Sequence, residues 1–209
     1  MTAPRALPVR IALAGLVLGA ALVGLVVRED RARAAGQEVR LAMEAVDPRS
    51  LLSGHYAALR LTETGAEGAA CPPGLTGAVE WIALSPRGDH HSVAGGATTR
   101  EAALALGSLA VRGSAYCNDF TLPPDRGPVA TGPDAEPPPA PESQPVVTLD
   151  IGIDRFYADQ DEALAIETAL RDAGRDGPEA FAIVSVGADG RARLKGVEIG
   201  GQRTELTWF

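Results

Sequence analysis

Residues 11–27 carry no charged or polar side chain, and ten of these seventeen are Leu, Ile or Val. As a helix rising about 1.5 Å per residue the run spans roughly 26 Å, near the lower limit for crossing a bilayer. Each Leu, Ile or Val favours insertion by about 0.3–0.6 kcal/mol, so the run gains about 3–6 kcal/mol with no buried charge to oppose it. A helix apolar on every face is either enclosed by protein or lies in a membrane, and the membrane span is the preferred reading. A cleaved signal peptide is the competing one, since Ala32-Arg33-Ala34 offers a small-residue cleavage site. Residues 1–10 then form a cytoplasmic tail and residues 11–27 a signal-anchor helix. Arginines on both flanks, Arg5 and Arg10 against Arg28, Arg31 and Arg33, leave the positive-inside count undecided. The spacings Gly15-xxx-Gly19 and Ala20-xxx-Gly24 are a weak signal for close packing of two such helices.

From Gln37 the period changes to two: Val39, Leu41, Met43 and Ala45 alternate with Glu38, Arg40 and Glu44, the pattern of a half-buried strand. Asp47-Pro48 and Ser53-Gly54 mark breaks, after which residues 56–62 predict a second strand. Further strands are expected over residues 78–84 and 109–112, and a short helix over 98–105. Nine prolines in residues 123–145 predict an extended, disordered loop. Because strand-like residues 146–151 follow at once, this loop interrupts one domain, residues 36–209, rather than dividing two. Asp159 and Glu162 form a capping-box-like start to a helix whose Ala163, Ile166, Leu170 and Ala173 share one face, with Gly174 as its stop. Residues 180–186 and 192–199 flank Gly187-Ala188-Asp189-Gly190 as a hairpin, and residues 202–208 predict an edge strand. The fold class is α+β: a mostly antiparallel β-sheet domain with one packed helix, preceded by a single N-terminal transmembrane helix.

Composition narrows the functional classes. Formal net charge is −8, but five basic and only two acidic residues lie within the first 33 positions. The remainder carries fourteen basic against twenty-five acidic side chains, a net of −11. Such a surface repels phosphate backbones and argues against nucleic-acid binding. Aromatic residues make up only 4%, so the core must come from Val, Leu, Ile and Ala, and stability is expected to be modest. The two cysteines, Cys71 and Cys117, have neither CxxC nor zinc-like spacing, which fits one disulfide in an oxidising compartment.

The stretch Gly36-Gln37-Glu38-Val39, followed by Val46-Asp47-Pro48-Arg49-Ser50-Leu51-Leu52-Ser53-Gly54-His55-Tyr56-Ala57-Ala58-Leu59-Arg60-Leu61, resembles the signature of the GDYXXLXY family. Gly152-Ile153-Asp154-Arg155-Phe156-Tyr157, with the later Gly190 and Lys195-Gly196, is similar to that family's second half. His55 stands where the family has Asp, and Leu61 where it has the final Tyr, so no role resting on that carboxylate or phenol carries over. The resemblance implies a membrane-anchored, extracytoplasmic protein of uncharacterised activity working beside a polytopic membrane protein.

No glycine-rich phosphate loop, catalytic triad or paired-carboxylate site is recognisable, so no enzymatic activity and no cofactor are expected. The run Ser50 to Tyr56 echoes signal-peptidase-like proteases. A Ser/Lys dyad of that kind needs a serine at position 46, which is Val46, and its only available base is the single lysine, Lys195. Asp89-His90-His91 with His55 contains metal-ligand types, but neighbours on a strand point to opposite faces, and a polar turn is the simpler reading. Asp47 with Arg49 reads first as turn chemistry, and Asp154 with Arg155 as a surface ion pair. The expectation is an extracytoplasmic module of unknown activity at the cell inner membrane, its C-terminal domain periplasmic. Residues 11–27 contact the bilayer, and the module binds an integral membrane protein through Asp47, Arg49, Gly54, His55, Tyr56, Arg60, Asp154, Arg155 and Tyr157. A cryptic membrane-surface hydrolase and a periplasmic metal or small-ligand binder are the alternatives.

Overall fold

The computed structural model describes residues 6–45, 56–75, 79–121, 143–173 and 180–206. Helix α1 (Ala6–Ala35) continues well past the apolar run, and no residue of its apolar window is buried against the domain. By length and composition it can cross a membrane. One residue, Gly36, separates α1 from β1 (Gln37–Ala45). A Cβ there would strike Ser185 Oγ, so its absence lets the chain leave the helix directly against the sheet.

The remaining elements are β2 (Tyr56–Thr64), β3 (Trp81–Arg87), β4 (His90–Ala97), α2 (Arg100–Leu104), β5 (Leu109–Arg112), β6 (Ser114–Thr121) and β7 (Ser143–Asp150). They continue with β8 (Arg155–Tyr157), α3 (Gln160–Ala173), β9 (Ala180–Val186), β10 (Ala192–Ile199) and β11 (Gln202–Glu205). The main sheet runs β11-β10-β9-β1-β2-β7-β6, with β4, β3 and β5 branching from β1 and β8 attached to β2. Among the described residues pairing is antiparallel except between β1 and β4, which meet in parallel at Leu41 and His91. The α+β architecture expected from the sequence is therefore the one observed. The β9–β10 hairpin has its expected bounds; Gly190 closes it at φ 76°, where a Cβ would strike the Trp81 ring.

The core is aliphatic, built from Val39, Leu41, Leu61, Ile82, Leu84, Val111, Ile183, Val184 and Val197, with Phe156 as its largest fully buried side chain. Helix α3 turns Ala163, Ile166 and Leu170 inward, as its periodicity predicts, and the Glu162 amide donates to Asp159 Oδ1 at 2.9 Å to cap it. The short helix expected over 98–105 is α2, capped by Thr99 Oγ1, which accepts from the Ala102 amide at 3.2 Å. Of the loop expected over residues 123–145, residues 143–145 instead open β7, with Pro145 buried; residues 122–142 lie outside the described chain.

Cys71 and Cys117 form a disulfide, with Cα atoms 5.9 Å apart and 46 positions of sequence between them. It ties the chain beyond β2 to strand β6 across β7, alongside amide hydrogen bonds from Gly65 to the Pro145 carbonyl (2.8 Å) and from Gly68 to the Ser143 carbonyl (2.9 Å).

Candidate functional site

Strands β7 and β8 run along the same edge of β2, interrupted at residues 151–154. Between the pairs Leu61↔Leu149 and Ala58↔Arg155, β2 advances three residues while the opposing chain spends six. The excess bulges outward at Gly152 (φ 76°), where Asp150 Oδ1 accepts the Gly152 amide at 3.3 Å. The Leu59 amide donates to the Asp154 carbonyl at 2.9 Å and restarts the pairing. This break brings together two segments nearly 100 positions apart, Tyr56 and Asp154 to Tyr157, which the sequence marks separately.

At their junction Tyr56 pairs with Tyr157, ring centroids 6.0 Å apart. The Arg155 guanidinium lies 5.0 Å over the Tyr56 ring and 3.4 Å from Asp154 Oδ2. The Tyr157 hydroxyl first, and the Asp154 carboxylate second, hold Arg155 charged above the ordinary arginine value. Phe156, between them in sequence, points the other way into the core, while Arg155 and Tyr157 are exposed. Arg60 is exposed one turn of the pleat further along β2, opposite Glu44. Asp47, Arg49, Gly54 and His55 lie outside the described residues.

A cleft of about 400 Å³ opens beside this cluster, walled by Glu29, Asp30 and Arg33 of α1 on one side and by Ile153, Asp154, Arg155 and Tyr157 on the other. Arg193 of β10 closes its end. Its guanidinium, with only 10% of the side chain exposed, pairs with Glu29 of α1 and with Asp189 at 3.3 Å, and these two acids raise its pKa, Asp189 contributing more. Arg33 donates to the Leu206 carbonyl at 3.3 Å. The charged end of α1 is thus clamped to the domain, not tethered to it. Glu29, Asp30, Arg33 and Arg193 are not marked as site residues by the sequence: charges behind an apolar run read as a membrane flank, and nothing in a hairpin strand marks which arginine is enclosed.

The catalytic alternatives find no assembled site among the described residues. Lys195 is bonded to Glu38, which also holds Arg203 at 2.8 Å. Hydrogen bonds from Arg203, then Lys195, bring the Glu38 carboxyl down from 4.5 to about 2. Lys195 is therefore part of a surface ion cluster, and Ser50 and Ser53 lie outside the described residues. Since the folded-state pKa is depressed, Glu38 contributes stability above its unfolded value that disappears as pH falls towards 2. With 38% of its side chain exposed, solvent screening limits this to about 1 kcal/mol. Denaturant midpoints taken between about pH 5 and 2 should fall less steeply in Glu38→Gln than in the parent.

Of the Asp89-His90-His91 segment, Asp89 sits with Gly88 in the turn between β3 and β4, as expected, whereas His90 and His91 open strand β4. His90 Nδ1 lies 3.1 Å from Asp89 Oδ1, and its ring is 5.5 Å from that of Phe181. Arg40 adds bonds to Asp89 (3.1 Å) and Glu198 (2.6 Å) and covers the same Phe181 ring. Burial, aided by the neighbouring His90 charge, lowers the His91 pKa. Among the described residues the one convergent group of three metal-ligand types is Cys71, Cys117 and Asp119, and its two sulfurs are bonded to each other.

A model of the GDYXXLXY protein family matches residues 18–197, from within α1 to within β10. No curated protein and no solved structure matches the chain. The match takes in both halves of the β2–β8 junction and the helix end clamped beside it, and the chain belongs to the GDYXXLXY family.

Proposed function

We propose that this protein is a single-pass, inner-membrane-anchored module that presents its periplasmic domain to an integral membrane partner. The observation that carries the reading is the position of the Tyr56, Asp154, Arg155 and Tyr157 cluster beside the emerging end of α1. Residues Glu29 to Arg33 begin two positions after the apolar run, about 3 Å along the helix axis. A surface held at that height by the Arg193 clamp meets the extramembrane edge of a neighbouring membrane protein without needing a long reach. Tyrosine and arginine are, with tryptophan, the side chains enriched among the energetic anchors of protein interfaces. The Cys71–Cys117 disulfide supports placing the domain in an oxidising compartment.

A photo-crosslinking side chain placed at Tyr157 in intact cells should capture an integral membrane protein. The same group at Tyr116, comparably exposed on strand β6, should not. Adducts of equal yield at both positions, or none at position 157, would refute the reading.

A further inference from the structure

We infer that the cleft between α1 and the β7–β8 break binds the headgroup of a zwitterionic phospholipid bearing a phosphate and a primary ammonium. The inference rests on α1 spanning a bilayer as proposed above. Glu29, Asp30 and Arg33 lie about 3–9 Å beyond Val27 along the helix. The headgroup layer is about 5–8 Å deep on each side of the hydrocarbon, so the cleft opens at headgroup height.

Its charges select the ligand. Three guanidinium groups, Arg33, Arg155 and Arg193, face three carboxylates, Glu29, Asp30 and Asp154. Arg193 and Glu29 are committed to each other as the clamp. Arg155 and Asp154 form a looser, exposed pair at 3.4 Å, which a ligand with both charges can straddle, phosphate towards Arg155 and cation towards Asp154 and towards Asp30, itself exposed and held by Arg33 only at 3.7 Å. A purely anionic headgroup that draws Arg155 away from Asp154 would leave that carboxylate without its counter-charge. A quaternary ammonium offers them no N–H donors, whereas a primary ammonium offers three. The aromatic face that would otherwise favour a quaternary group, that of Tyr56, is already covered by Arg155. Ile153, Leu194 and Leu206 supply an apolar floor for the glycerol end.

The test uses the full chain purified in mild detergent and exposed to equal amounts of phosphatidylethanolamine, phosphatidylcholine and phosphatidylglycerol, with retained lipid read by native mass spectrometry. Phosphatidylethanolamine should be retained about tenfold over the other two, and Arg155→Gln and Asp154→Asn should each remove that preference, an effect on the order of one charge-assisted contact. Equal retention of all three lipids, or a preference that survives both substitutions, would overturn the proposal. Soluble O-phosphoethanolamine should compete only weakly; competition as strong as that of the lipid would assign the cleft to a free metabolite instead. Flotation with vesicles separates the two failures: a chain that floats without lipid preference defeats only this inference, whereas one that does not float defeats the anchor itself.

Discussion

Replacing Phe156 with alanine should lower the unfolding free energy of the domain by about 3–5 kcal/mol, the usual cost of deleting a buried phenyl group. Phe156 is 1% exposed and belongs to the same apolar cluster as Leu61 of β2 and Ile166 and Leu170 of α3. Strand β8 has only three residues, and its outer two face solvent, so Phe156 is the single side chain of β8 that the core holds. In a domain whose core is mostly aliphatic, a loss of this size is a large share of the about 5–15 kcal/mol that a typical domain has available. Phe156→Leu keeps most of the apolar volume and should cost clearly less. Urea unfolding of the full chain in detergent, followed by tryptophan fluorescence, measures both. The alanine substitution should also free Arg155 and Tyr157 from their positions, so crosslinking from position 157 should weaken in parallel. A cost below about 1 kcal/mol would mean that β8 is not pinned to β2 through this residue.

Opening the Cys71–Cys117 bridge should have the next largest effect. For a loop of this length the chain-entropy model gives about 4 kcal/mol, and measured losses for native disulfides commonly fall between about 2 and 5 kcal/mol. Cys71→Ser, Cys117→Ser and the double substitution should be equally destabilised, because each removes the same single cross-link. A reductant should bring the parent chain to their level and leave the three variants unchanged. Should the parent unfold at the same denaturant concentration with and without reductant, the bridge would not be a structural element of the native protein.

How much of this was legible beforehand depended on whether the information was local. The apolar run, the alternation of β1, the capped and periodic α3 and the Gly-rich hairpin turn between β9 and β10 each carry their cause within a few residues, and all are found in place. Strand β4 was hidden because His90, His91 and Ser92 are polar and Gly95 and Gly96 break the alternation; the strand is held by β3 and by the parallel contact with β1, which no local pattern records. Strand β6, Ser114 to Thr121, has few strong strand formers and takes its conformation from β7 and the disulfide. The three residues of β8 are too few to show a period at all, and they are a strand only because β2 lies beside them.

The candidate site divides in the same way. The family resemblance marks Tyr56, Asp154, Arg155 and Tyr157 in two separate stretches, and the structure joins them at one edge of β2. The cleft they border was not legible, because its other wall comes from the charged tail of α1 and its end from Arg193, more than 150 positions later. Long-range ion pairs of this kind leave no periodic trace. The same holds for Lys195, which the sequence offers as a lone base and the fold places between β1 and β11, bonded to Glu38.

The most direct test of the account is the side of the membrane on which the domain lies. In spheroplasts, protease added from outside should digest the chain beyond α1 while a cytoplasmic control protein stays intact, and the protected remnant should correspond to the residues up to the end of the apolar helix. Digestion of the domain only after the inner membrane is broken would place it in the cytosol, where the proposed bridge, partner surface and lipid cleft would all lose their basis.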